Sequence, residues 1–111
     1  MTATSKLVGA ALDWAVAQCA DLPYPVVYDE QGEAVAVAPS TDWAQAGPII
    51  ERQGISVTNT TMSDAYAWAA YLAISEDKVR GEYGPTPLIA AMRCYVASKL
   101  GDEIELPEKL Q

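Results

Sequence analysis

The sequence contains no histidine among its 111 residues. Histidine is the usual general base and the commonest metal ligand, so its absence excludes every His-dependent catalytic triad. The sequence has only two cysteines, Cys19 and Cys94, and neither belongs to a CxxC motif. A zinc site would therefore lack its usual donors. We predict no metal site, no catalytic residues and no cofactor.

Basic residues are also scarce, with seven Lys and Arg against fifteen Asp and Glu, for a net charge of −8. Phosphate contacts need clustered cations, so the chain is not expected to be a general nucleic-acid binder. The same charge argues against docking on an anionic membrane surface. No apolar run reaches the length needed to span a bilayer. The simplest role of the charge is solubility.

Half of the residues are hydrophobic, which is enough for one modest core. We predict a single α+β domain over residues 1–111, with an N-terminal helix, short antiparallel strands and a C-terminal helix packed on the sheet. Residues 102–111 form an acidic tail, from which Ile104 and Leu106 are expected to fold back onto the body. Both cysteines are expected to be free thiols in helices, and a disulfide between the two helices is the alternative.

The first half of the chain predicts a helix, a hairpin and a short helix. Apolar residues at three- and four-residue steps indicate a helix over Lys6–Ala20, capped by Ser5, and this amphipathic pattern explains the amino terminus better than an export signal does. Two β-prone runs, Val26–Tyr28 and Ala34–Val37, are predicted to pair around a turn at Gly32. A short helix follows, in two turns. Ser40 or Thr41 caps the first turn. Pro48 begins the second turn, and Gly54 ends the helix.

The second half is less regular until its last helix. A strand is predicted over residues 55–61. Residues 65–72 alternate as a strand would, while their alanines favour a helix; strand is the preferred interpretation. The polar segment SEDKVRGEYGP is predicted to be a loop. Thr86 then caps a helix that begins at Pro87 and stops at Gly101.

Three segments carry a resemblance to a known family. They are DWAQAGPIIERQGISV, the pair Trp68–Ala69, and YGPTPLIAAMRCYVASKLGDEIELPE, in which Pro87–Met92 is the most specific motif. With these motifs the chain resembles the NinX-like family of small phage proteins over residues 7–106. The resemblance implies a phage or prophage origin and action in the host cytoplasm. That family has no agreed enzymatic activity, so the resemblance supplies no catalytic residues.

Aromatic side chains near turns are the best candidates for a ligand-binding site. Loop aromatics can stack on a flat ligand, guanidinium groups can hold phosphate, and a helix amino terminus can hold an anion. The alternative is that the tryptophans close a core that has no phenylalanine, and that the carboxylate and hydroxyl only cap helices. The candidate ligand-binding residues are Asp42, Trp43, Arg52, Trp68, Tyr83 and Thr86.

We therefore expect a non-enzymatic accessory protein rather than an enzyme. The preferred hypothesis is a binding module that sequesters a small ligand such as a nucleotide signal of host defence, formed as a homo-oligomer because so small a domain buries a ligand most easily between subunits. The alternative is an acidic protein–protein adaptor or inhibitor of a host factor. A hydrolase using paired carboxylates is the least favoured hypothesis, because carboxylates in turns and tails are usually solvated.

Overall fold

The computed structural model describes all residues from 1 to 111. It contains three α-helices, seven short strands and three 3-10 turns. The helices are α1 (Gly9–Ala20), α2 (Trp43–Gln53) and α3 (Pro87–Leu100). The strands are β1 (Thr2–Ala3), β2 (Val26–Tyr28), β3 (Ala34–Ala36), β4 (Ser56–Asn59), β5 (Trp68–Ser75), β6 (Lys78–Gly84) and β7 (Glu103–Ile104).

The main sheet is antiparallel, has three strands in the order β4-β5-β6, and packs against α3. Residues opposite one another across strands share a face, so Val57, Ala70 and Leu72 lie on the side that meets α3. Helix α1 packs on the other side of α3 and completes one hydrophobic core. The predicted α+β architecture, with a C-terminal helix packed on the sheet, is therefore confirmed.

Strand β6 and α3 approach each other very closely at Gly84. A Cβ atom added at Gly84 would lie 2.7 Å from the backbone nitrogen of Ala90 and 3.1 Å from its Cα. Both atoms belong to the helix backbone, which cannot move aside as a flexible side chain could. The strand therefore lies against the helix at a distance that only glycine permits.

The first and last segments of the chain are joined. Strand β1 pairs with β7, Thr2 opposite Ile104, and the backbone N–H of Thr4 donates to the carbonyl of Asp102 at 2.8 Å. Ile104 and Leu106 are buried, so the tail folds back onto the body as expected.

Several predicted elements are confirmed. The hairpin forms from β2 and β3, although β3 ends one residue before Val37. The alternating segment is a strand from Trp68 onwards, preceded by a 3-10 turn at Asp64–Tyr66. Thr86 caps α3, whose first residue is Pro87. Both cysteines are free thiols. No helix combines the length and apolar character that a membrane crossing requires.

The loop predicted at SEDKVRGEYGP is wrong, because most of this segment is strand β6. Arg80 lies opposite Leu72, which faces α3, so Arg80 and Glu82 occupy the core side of the sheet while Val79 is exposed. Glu82 forms an ion pair with Arg80 there. The polar and apolar faces of this edge strand are thus the reverse of the usual pattern, which hid the strand from a hydrophobicity argument.

Two helix starts also differ from prediction. Helix α1 begins at Gly9, because Thr4–Lys6 is a separate 3-10 turn, and Ser5 makes no cap hydrogen bond. The two predicted turns after Thr41 are one helix, α2, capped by Asp42. Pro48 lies inside α2 and removes one helical hydrogen bond, but the helix continues because its buried face packs on the core.

Asp13 connects α1 to the segment that precedes α2. Its side chain is buried at 7% exposure, and its Oδ1 accepts a hydrogen bond of 2.8 Å from the backbone N–H of Ser40. Burial raises the pKa of Asp13 above the ordinary aspartate value, and hydrogen bonding from Ser40 opposes the rise.

This raised pKa predicts a pH-dependent difference between variants. The folded protein holds the Asp13 proton more tightly than the unfolded chain, so the contribution of Asp13 to stability falls as pH rises through the raised pKa. Asp13→Asn keeps an acceptor for Ser40 but carries no charge. Relative to wild type, its free energy of unfolding should increase as pH rises from acid to neutral.

The control is Asp13→Ala, which leaves the Ser40 N–H without its partner and should cost about 1–3 kcal/mol at neutral pH. Urea unfolding at several pH values measures both differences. A difference between Asp13→Asn and wild type that does not change with pH would contradict the assignment.

Candidate functional site

The structure does not bring the six candidate ligand-binding residues into one site. Trp43 and Thr86 line one small cleft, Arg52 lines a groove among the helices, and Tyr83 lines a third pocket. Trp68 is half-buried against the hydrophobic core. Trp68 therefore fits the alternative role of closing the core, whereas the side chain of Trp43 is 58% exposed.

The cleft of about 260 Å³ lies between the starts of α2 and α3. Two helix caps flank it, because Asp42 accepts from the backbone N–H of Ala44 at 2.9 Å and Thr86 accepts from that of Ile89 at 3.1 Å. The buried Oγ of Ser40, which also lines the cleft, has no hydrogen-bond partner. Pro87 has no N–H to offer. Capping accounts for Asp42 and Thr86, so the cleft offers a ligand the Trp43 ring and the Ser40 hydroxyl.

The pocket at Tyr83 is better equipped, and we call it the tyrosine pocket. The ring of Tyr83, near the end of β6, meets the ring of Tyr66 edge to face, with centroids 5.9 Å apart and an interplanar angle of 88°. This is a favourable geometry for two aromatic rings. The pocket has a volume of about 370 Å³ and is lined by Ser5, Lys6, Tyr66, Gly81, Glu82, Tyr83 and Arg93. Tyr83 thus lies in a strand and not in the predicted loop. It does line a pocket, as a ligand-binding residue would.

Arg93 fixes two walls of the tyrosine pocket. It is 8% exposed, its Nε donates to the carbonyl of Leu7 at 2.8 Å, and one Nη donates to the carbonyl of Tyr83 at 2.9 Å. Burial lowers the pKa of Arg93, and the nearby charge of Glu82 opposes that change. The guanidinium stays protonated, since an arginine is charged at any pH a protein experiences.

Glu82 is the carboxylate of the tyrosine pocket. Its side chain is 10% exposed and lies 3.4 Å from an Nη of Arg80, which also forms an ion pair with Asp102. The pocket therefore combines two aromatic rings, the cations of Lys6 and Arg93, and one buried acceptor. Such a set can contact a flat ring, attract a negative group and accept a hydrogen bond from a ring N–H.

The candidate residues chosen from the sequence did not include four members of this pocket: Lys6, Tyr66, Glu82 and Arg93. One signal was available for Arg93, which interrupts the apolar sequence of α3 between Met92 and Cys94. A charge on a buried helix face needs partners, so it marks a polar contact in the core. No group of three or more acidic or thiol side chains is placed to hold a metal ion.

Comparison with known proteins adds the family. The sequence model of the family described as Bacteriophage P22, NinX matches residues 3–99. The chain belongs to this family. No curated protein matches the NinX-family chain. Among solved structures it is similar to a phage protein from Bacillus cereus ATCC 14579, described as a 2.0 Å crystal structure.

That likeness has a TM-score of 0.58 at 13% identity and covers 78% of this chain and 83% of the other. At so low an identity the likeness shows a shared fold and nothing about function. The resemblance to the NinX family found in the sequence is confirmed by the family match over residues 3–99.

Proposed function

We propose that this NinX-family phage protein is a non-enzymatic binding module that sequesters a small ligand bearing a flat ring and a negative charge, such as a nucleotide signal of host defence. The observation that carries the proposal is the tyrosine pocket, where the rings of Tyr66 and Tyr83 meet beside the cations of Arg93 and Lys6. Sequestration needs only such a pocket and no reacting group.

Local charge supports the proposal against the acidity of the whole chain. Although the net charge is −8, Lys6 and Arg93 line the pocket with one carboxylate, that of Glu82, which also pairs with Arg80. The lining of the pocket therefore carries one more positive than negative charge. The volume of about 370 Å³ falls in the range of small-molecule sites.

The proposal includes a homo-oligomer in which a second copy covers the rings. Tyr66 and Tyr83 remain partly exposed in one chain, and a ligand is held more tightly when most of its surface is buried. Light scattering during size-exclusion chromatography, with and without a bound nucleotide, measures the number of copies.

A panel of cyclic and linear adenine and guanine nucleotides tests the binding function. A ligand that binds only the folded state raises the unfolding midpoint by an amount set by its concentration over Kd. Tyr83→Ala and Tyr66→Ala should each raise the Kd of the nucleotide about tenfold or more, because a base–aromatic contact contributes about 1–3 kcal/mol. Calorimetric titration measures the Kd.

The matched control is Tyr28→Ala, which removes a tyrosine that is 70% exposed and lies outside the pocket. It should leave the Kd unchanged. Binding that survives Tyr83→Ala and Tyr66→Ala together would contradict the assignment to this pocket. Conversion of the nucleotide to a product would indicate an enzyme, and no shift with any nucleotide would favour the adaptor hypothesis.

A further inference from the structure

A groove among the three helices is separate from the tyrosine pocket and shares no residue with it. It has a volume of about 570 Å³ and lies between the end of α1, one side of α2 and the last turns of α3. Arg52 from α2 and Lys99 from α3 both line it, and we call it the Arg52–Lys99 groove. Two cations distant in sequence are thus brought to one cavity.

Neither cation has an anionic partner in the protein. The only ion pairs in the structure are those of Arg80 with Glu82 and with Asp102. No aspartate or glutamate is among the residues that line the Arg52–Lys99 groove. In a chain with fifteen acidic residues and seven basic ones, a cavity lined by two unpaired cations and no carboxylate has the opposite charge to the molecule as a whole.

Neighbouring groups respond to these two charges. Burial raises the pKa of Tyr95, and the charge and hydrogen bonding of Arg52 oppose the rise. Burial raises the pKa of Cys19 to about 11, and the charge of Lys99 opposes that rise. Cys19 and Tyr95 line the groove together with the two cations.

Helix ends explain part of the arrangement but not all of it. Arg52 and Lys99 lie in the last turns of α2 and α3, where a cation complements the partial negative charge of the helix end. That partial charge is about half an elementary charge for each helix, so two full cations exceed it. Helix-end stabilisation also gives no reason for the two side chains to share a groove without carboxylates.

We propose that the Arg52–Lys99 groove binds a small phosphate-bearing anion. The guanidinium of Arg52 can donate two parallel hydrogen bonds to phosphate oxygens, and the ammonium of Lys99 supplies a point charge. The side-chain amide of Gln53 also lines the groove and makes no hydrogen bond within the protein, whereas that of Gln45 is occupied by Ala36 and Asp42.

Titration with inorganic pyrophosphate at low ionic strength tests this site, followed by amide chemical shifts in NMR. Saturable shifts are expected at Cys19, Arg52, Gln53 and Lys99. Arg52→Gln and Lys99→Gln should each raise the Kd of pyrophosphate about tenfold, because each removes one charged hydrogen-bond donor. If a nucleoside diphosphate has the same Kd as pyrophosphate, the phosphates are the recognised group. If its Kd is lower, the groove also contacts the nucleoside.

Lys78→Gln is the matched control, because Lys78 is an exposed cation that lines neither cavity and makes no ion pair. It should leave the Kd of pyrophosphate unchanged, as should Tyr83→Ala, which separates this site from the proposed function. Shifts that do not saturate, or an equal loss with Lys78→Gln and Lys99→Gln, would overturn the proposal. If Arg52→Gln does not fold, Arg52→Lys keeps the charge without the fork and should still weaken pyrophosphate several-fold.

Discussion

Gly84→Ala is expected to lower the free energy of unfolding by about 3 kcal/mol, at the upper end of the usual cost of an overpacked core. The added Cβ would lie 2.7 Å from the backbone nitrogen of Ala90, so strand β6 and helix α3 must separate. Because this contact joins the main sheet to the main helix, the strain is not relieved by rotating a side chain. Chemical unfolding monitored by circular dichroism measures the loss.

Gly47→Ala is the matched control for Gly84→Ala. Gly47 lies inside α2, has no atom within 4 Å of an added Cβ, and does not have a positive φ. Alanine gains helix propensity there, but the Cδ of Pro48 disfavours a Cβ on the preceding helical residue, so the two effects oppose and the free energy of unfolding should change by less than about 1 kcal/mol. Gly84→Ala with the stability of wild type would show that β6 does not lie against α3 as described.

Arg93→Ala is expected to lower the free energy of unfolding by about 3 kcal/mol. It removes the guanidinium that donates to the carbonyls of Leu7 and Tyr83. Hydrogen bonds to a charged group contribute about 1.5–3 kcal/mol each, and the two carbonyls would be left with fewer partners. The loss should appear in the urea midpoint with little change in the slope, since the fold itself is retained.

Arg52→Ala provides the comparison for Arg93→Ala, because Arg52 is exposed and makes no ion pair. Its loss should cost less than about 1 kcal/mol, the contribution of a cation at a helix end. Equal effects of the two arginine substitutions would contradict the distinction between a buried connecting residue and an exposed one.

The elements that sequence patterns predicted well have local signals. Thr86, Pro87 and Gly101 define α3, and each acts through its own backbone geometry or cap. Strand β6 has no such signal, because Arg80 and Glu82 lie on the side that faces α3, where Arg80 is stabilised in part by a partner distant in sequence. That partner is Asp102, with which Arg80 forms an ion pair. Only the tertiary structure makes that strand favourable.

The candidate site was predictable one residue at a time and not as a constellation. Tyr83 was identified from its neighbourhood, and it does line a pocket. Its neighbours there come from a 3-10 turn, from the segment before α1 and from the middle of α3, and no spacing in the sequence connects them. Trp43 and Arg52 were grouped with Tyr83 by residue type, and the fold places them in other cavities.

The contact of Arg93 with Leu7 bears on when the protein becomes competent to bind. The two residues are separated by 86 positions, and Lys6 and Arg93 line the same pocket. A nascent chain on the ribosome therefore holds no completed tyrosine pocket until α3 has emerged and docked. A ligand would therefore bind the pocket only in chains whose synthesis is complete, and not in chains that are still growing.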